Sequence, residues 1–194
     1  TTAGLFRYLG VPVFDSDARV HALMAPGKAG YRAIAAAFPD VVDATGVDRQ
    51  ALGRRVFAEP AAKARLEAML HPLVLAEQRA FLAFHQRRRA GHVVLDVPLL
   101  FETGGDTRVD RIAVVSAPYP IQRQRVLRRP GMTIEKFQAI LASQMPDREK
   151  RRRADAVVPS ALGKRPALRA VIHLLRHTKP GAGRVWGPAW GAPR

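Results

Sequence analysis

Three acids stand where a carboxylate can act on a phosphate or a hydroxyl. Asp15-Ser16-Asp17 follows the apolar stretch Val11-Pro12-Val13-Phe14, with Arg19 just beyond, and Asp96 ends the β-branched run Val93 to Leu95. Two acids and an Arg this close together can position a hydroxyl and a phosphate at once. A hydrophobic strand that ends in Asp has the form of a carboxylate that holds or orients Mg²⁺ beside a nucleotide. Carboxyl ends of strands are also where open α/β sheets receive their ligands. Further along, Gln122, Arg125 and Arg129 are spaced by three and four, so one helical face would present them together. Guanidinium forks meet phosphate oxygens bidentately. The plainer alternatives are a helix N-cap, a buried strand with an acid at its solvent end, and a solvated basic helix.

The elements that must carry these residues follow from local pattern. Thr1 to Leu9 reads as a helix with no cap before it, stopped at Gly10. Val11 to Phe14 and Val93 to Leu95 read as strands, the second buried on both faces as in a parallel sheet. Between them, from Val20 to about Arg89, the chain reads as helical, with a turn at Pro39 to Gly46, a short helix at Asp48 to Phe57 and Pro60 at a favoured first helical position. Leu66, Met69 and Leu70 share one face, and Leu73, Ala76, Ala80 and Phe84 continue an apolar stripe. His71 precedes Pro72, which marks a helix boundary. After Asp96, Thr103 to Thr107 is a loop and Arg111 to Val115 a strand, with Pro118 and Pro120 breaking the chain. Gln122 to Arg129 is a basic helix. Another helix, capped by Thr133, runs to about Gln144, followed by an intensely basic stretch from Pro146 to Arg153. This segment suits a mobile, Arg-bearing lid. Ala156 to Val158 is a last strand, Pro166 to Leu175 a last helix, and the tail with Trp186 and Trp190 is expected to be loose.

Composition bounds the rest. The 194 residues, 47% hydrophobic and 25% charged, suit a globular domain with an inserted subdomain. The absence of Cys excludes disulfides, thiolate metal sites and cysteine nucleophiles, and a cytoplasmic setting fits. A net charge of +16 suits polyanionic partners, either nucleic acid or phosphate-rich small molecules.

In this order, the motifs resemble those of dephospho-CoA kinases, a family of P-loop kinases, over roughly residues 1 to 176. Asp15-Ser16-Asp17 stands for the family's Asp-Ala-Asp, His71-Pro72 for its His-Pro pair, and Asp96 to Glu102 reproduces its Asp-Val-Pro-Leu-Leu-Phe-Glu unchanged. Gln122, Arg125 and Arg129 match its lid, and Gln144 and Ala154-Asp155 also correspond. The resemblance implies an α/β fold, a P-loop kinase-like parallel sheet flanked by helices. Residues 1–19, 90–121 and 154–177 would form its core, 20–89 a helical CoA-substrate domain, 122–153 the lid and 178–194 a tail. It implies transfer of the ATP γ-phosphoryl group to the ribose 3′-hydroxyl of dephospho-CoA with Mg²⁺. Asp17 would orient and deprotonate that hydroxyl, and Arg125 and Arg129 would clamp phosphate. Asp15, Arg19, His71, Leu100 and Glu102 would serve the acceptor, while Thr1 and Asp96 lie toward the nucleotide, Asp96 acting near Mg²⁺ indirectly. Partners would be ATP and dephospho-CoA, with no nucleic acid or membrane, in a monomer or weak homo-oligomer.

The family's Gly-x-x-x-x-Gly-Lys-Ser/Thr loop and the strand before it do not occur here. Gly27-Lys28 and Gly163-Lys164 have Ala22 and Val158 five residues before the Gly, and no Ser or Thr after the Lys. Alignment of Leu9-Gly10 places Thr1 just after the loop's hydroxyl residue, a start roughly 13–15 residues late. Pro159-Ser160-Ala161 replaces a more polar family stretch. The alternatives are a nucleoside or nucleotide P-loop kinase, a basic nucleic-acid-binding protein, which predicts steeply salt-dependent binding, and a noncatalytic remnant. The expectation for these 194 residues alone is little or no turnover, because that loop supplies backbone N–H groups, a Lys and a hydroxyl together. An assay of ATP- and Mg²⁺-dependent phosphorylation of dephospho-CoA checks it, and robust turnover would refute it.

Overall fold

A computed structural model describes residues 1–179; Trp186, Trp190 and the rest of the expected tail lie outside the described residues. In chain order the elements are α1 (Thr2–Tyr8), β1 (Val13–Asp15), α2 (Ser16–Leu23), α3 (Ala29–Ala37), β2 (Val42–Asp43), β3 (Gly46–Val47), α4 (Arg49–Ala58) and α5 (Pro60–Arg87). There follow β4 (Val94–Asp96), β5 (Ala113–Ser116), α6 (Tyr119–Leu127), α7 (Ile134–Ser143), α8 (Asp147–Arg153), β6 (Ala156–Pro159) and α9 (Lys164–His177). The strands pair as β1 with β4, β2 with β3, and β5 with β6. The chain divides into two compact units, Phe14–Val97, and Thr1–Val13 with Pro98–Arg194.

The unit Phe14–Val97 is largely helical, as the block of helical pattern before β4 predicts. α2, α3 and α4 pack on α5. Its core gathers Ile34, Phe38, Val41, Leu52, Ala62 and Leu70, with Val20, Met24, Leu66, Met69 and Leu73 against it. Asp48 caps α4 by accepting from the amides of Gln50 and Ala51. The turn expected over Pro39 to Gly46 contains a 3₁₀ turn and the small antiparallel hairpin β2–β3. Asp43 closes that hairpin, accepting from Thr45 N, Thr45 Oγ1 and Gly46 N at 2.7, 2.6 and 3.1 Å.

Two expectations for α5 are corrected. Pro72 lies inside the helix and His71 is no boundary, since α5 continues unbroken from Pro60 to Arg87. Packing along its length by three helices outweighs the loss of one backbone bond. The apolar stripe also departs from Ala76, Ala80 and Phe84, all exposed. Its buried residues are Ala62, Leu70, Gln78 and Leu82. They lie at multiples of four, a spacing that winds slowly round a helix of 3.6 residues per turn instead of holding one straight face.

In the other unit, β5 and β6 form a parallel ladder in register from Ala113↔Ala156 to Ser116↔Pro159. Asp155 fixes where the ladder begins. Its carboxylate accepts from Ile112 N at 2.8 Å and from Arg111 Nη1 at 2.7 Å. α9 covers β6 with Ala167 and Val171, one turn apart and buried, and α1 packs on α9 with Ala3 and Phe6 inward. Thr1 is itself the cap of α1, accepting from Gly4 N at 3.2 Å, which corrects the uncapped start. Gly10 takes a left-handed φ of 75° beyond the helix, as expected for a stop.

α6 also differs from its expected span. Pro120 sits in its first turn, where a missing N–H costs nothing, so it opens the helix instead of breaking the chain. α6 ends at Leu127, leaving Arg129 outside, because the residue before Pro130 is pushed away from helical backbone. β4 is half-buried at Val94 and Leu95 rather than sealed on both faces, having a single strand neighbour.

The turn after Pro98 is tight. Gly105 N donates to the Leu100 carbonyl at 2.8 Å, and a Cβ on Gly105 would stand 2.8 Å from Leu100 Cδ1 and 3.2 Å from that carbonyl. Gly105→Ala should therefore destabilise by about 1–3 kcal/mol, the usual cost of overpacking. Urea denaturation of the variant and its parent checks this.

Candidate functional site

The acids of the unit Phe14–Val97 sit on β1, β4 and the first turn of α2. β1 and β4 are hydrogen-bonded neighbours, and each ends in an aspartate, Asp15 and Asp96. Asp15 has the routine role weighed for an acid at this place: its carboxylate accepts from Ala18 N at 3.0 Å and caps α2. Asp17 is an exposed side chain in the first turn of that helix. Asp96 is exposed as well. Phe14, just before Asp15 and Asp17, is buried and packs edge-on against Phe81 of α5, with ring centroids 5.5 Å apart. The buried ring thus anchors the strand while Asp17, three residues on, stays exposed to solvent.

Arg19 lies over the Phe14 ring at 5.8 Å and reaches Glu77 of α5 at 3.8 Å. Both side chains of that pair are about half exposed, so a phosphate can displace Glu77 at little cost. His71 is exposed on α5.

Gln122, Arg125 and Arg129 belong to the other unit. Gln122 Nε2 donates to the Ala117 carbonyl at 2.6 Å, tying the start of α6 to the end of β5. Arg125 Nη2 donates to the Ser160 carbonyl at 3.0 Å. Arg129, past the helix end, does not continue the face shared by Gln122 and Arg125.

Glu102 is held by two partners within its own unit. Its Oε1 meets Lys150 Nζ at 2.8 Å and accepts from Met145 N at 2.8 Å. Both charged side chains are only 16% exposed. Burial pushes the carboxyl up, yet the Lys150 ammonium and the Met145 amide more than offset this and hold it below its ordinary 4.5. Glu102 Oε2 is buried with no hydrogen-bond partner. Arg153, also on α8, stands 6.0 Å from the Phe101 ring. Leu100 lends its carbonyl to Gly105, so its backbone serves the turn.

Sequence reasoning passed over Lys150, Ser116 and Asp147. Lys150 was hidden in a basic run, its partner 48 positions away in sequence. Ser116, a polar residue closing an apolar strand, was the one visible signal. Among the described residues no cluster of three His, Cys, Asp or Glu could cage a metal, and no helix is long and apolar enough to cross a membrane.

Comparison with known proteins agrees with the resemblance drawn from the motifs. The sequence model of the dephospho-CoA kinase family matches residues 1–162. Dephospho-CoA kinase of Rhodospirillum rubrum is 54% identical over 185 residues, covering 95% of this chain and 88% of that protein. The Paramagnetospirillum magneticum dephospho-CoA kinase is 56% identical over 185 residues, covering 94% and 87%. Among solved structures, TT1252 from Thermus thermophilus superposes with a TM-score of 0.75 at 34% identity, covering 91% of this chain and 90% of that one. Dephospho-CoA kinase from Campylobacter jejuni, 21% identical, shares the fold with a TM-score of 0.63 over 90% and 88%. The α/β arrangement is thus that of the P-loop kinases.

A carboxyl group held down by folding contributes stability that is complete above its unfolded pKa and is lost as pH falls through its folded one. Glu102→Gln should accordingly cost about 1–3 kcal/mol at neutral pH, where Lys150 loses its charged partner. The gap between variant and parent should close on acidification below 4.5. Thermal melts across that range measure it.

Proposed function

The chain belongs to the dephospho-CoA kinase family, and on that premise we propose how its side chains divide the reaction. The activity is ATP-dependent phosphorylation of the ribose 3′-hydroxyl of dephospho-CoA, the last step of CoA biosynthesis. A bond forms between the 3′-oxygen and the γ-phosphorus, the bond to ADP breaks, and the hydroxyl proton must leave. Phosphoryl transfer of this kind asks for positioning and charge neutralisation more than covalent chemistry.

Asp17 is the residue assigned to the proton. The observation behind this is its exposed carboxylate in the first turn of α2, directly after a strand whose neighbour also ends in an acid. Asp15 holds α2, and with it Asp17, in place through its cap and is assigned to the acceptor side. Arg19, loosely held by Glu77, and exposed His71 are assigned to the acceptor, as are the turn at Leu100 and Glu102 that Lys150 stabilises. Arg125 and Arg129 are assigned to the transferring phosphates.

Asp96 offers an exposed hard oxygen, suited to meeting Mg²⁺ through water while the ion rides on nucleotide phosphates. When bound, Mg²⁺ would neutralise charge on the β- and γ-phosphates. Thr1 is placed toward the nucleotide by its alignment alone. We take the enzyme as cytoplasmic, a setting that a chain without Cys fits, and as a monomer or weak homo-oligomer.

Asp17→Asn keeps the shape and removes the base. In the full-length protein it should lower kcat by about 10²–10⁴-fold, the range for general bases, with little change in the KM for ATP. A variant that retains kcat would sink the assignment of Asp17.

A further inference from the structure

Within the unit of Thr1–Val13 and Pro98–Arg194, a run of hydrogen bonds leads to Arg125 from residues that no motif singled out as functional. Arg125 Nη2 donates to the Ser160 carbonyl at 3.0 Å, and Nη1 donates to Ser160 Oγ at 3.4 Å. Ser160 Oγ donates in turn to the Ser116 carbonyl at 3.1 Å, and Ser160 N donates to the same oxygen at 2.9 Å. Ser116 Oγ donates to Asp147, whose two carboxylate oxygens lie 2.9 and 3.0 Å away. Every hydroxyl here donates its one proton, Ser160 Oγ to a carbonyl and Ser116 Oγ to a carboxylate, groups that can only accept.

The place of this run matters as much as its continuity. Ser116 ends β5, and Ser160 follows the last residue of β6, so both stand at the carboxyl edge of a parallel ladder. That edge is where α/β sheets receive ligands. Ser116, Asp147 and Ser160 are partly buried, whereas Arg125 is exposed. A guanidinium has five N–H donors. Ser160 engages one on each terminal nitrogen, which leaves three for an incoming anion.

We propose that Ser160, with Ser116 and Asp147 behind it, positions the Arg125 fork at the ladder edge for phosphoryl transfer. This rests on the reading of Arg125 as a phosphate-binding residue. A long, flexible cation would otherwise lose rotamer freedom at the moment of reaction, and the serine clamp makes that loss in advance.

Ser160→Ala and Ser116→Ala, each in the full-length enzyme, should lower kcat about five-fold, the worth of one net hydrogen bond, with the KM for dephospho-CoA unchanged. Ser160→Thr should restore kcat. In an Arg125→Ala background the two alanine substitutions should cost nothing further, because residues acting through Arg125 are not additive with its loss. Phenylglyoxal labelling of Arg125, followed by mass spectrometry, gives a readout without turnover, and it should run faster in Ser160→Ala than in the parent. Equal losses in both backgrounds, unchanged kcat in the single variants, or equal labelling rates would overturn the inference while leaving the Arg125 reading intact. An Arg125→Ala enzyme with undiminished kcat would remove that reading and the inference together.

Discussion

A carboxylate withdrawn from water has to be answered by a cation, by amide donors or by a proton, and Glu102 is answered by the first two. Its single oxygen Oε1 joins the turn after Pro98 to a stretch more than forty residues on, meeting both Met145 before α8 and Lys150 within it. Other features of that unit follow from this junction. α8 is held with Asp147 toward Ser116 of β5, and Arg153 of the same helix lies by Phe101. Breaking such a pair from one side costs more than the pair contributes, because a charge is left without a partner in a poorly solvated place.

The excess of positive charge has a similar local answer. Arg152 and Arg153 both donate to Glu149, and their hydrogen bonds draw that carboxyl down to about 2. Lys150 serves Glu102, Arg111 serves Asp155, and Arg55 meets Asp40 at 2.6 Å. The run from Arg148 to Arg153, which in sequence reads as a bare cationic patch, is thus partly spent on intramolecular pairs. A nucleic-acid platform would draw on cations held outward along a face. Here several of the cations are paired within one helix or with a neighbouring turn.

What the sequence made legible was what local chemistry decides. Asp48 and Thr133 cap the helices they were expected to open, Pro60 begins α5 and Gly10 ends α1's turn. The strands lie within two residues of their apolar runs. The ordered motifs also led to the right family, since each is a short string. What stayed hidden depends on partners distant in the chain. α5 runs through Pro72 because three helices pack along it, and no window around His71-Pro72 contains that information. Arg129 was grouped with Gln122 and Arg125 by spacing, while Pro130, one residue on, had already ended the helix. The anchoring of Glu102 stayed hidden because Lys150 could not be seen opposite it.

Pro72 has a mechanical consequence. It offers no amide proton to the Ala68 carbonyl one turn back, so the long rod of α5 has a single weak rung near its middle. Bending a rod concentrates at its most compliant point, and His71 sits beside it, on the solvent side. Load applied at either end of α5 is therefore expected to bend the helix first at the His71-Pro72 pair.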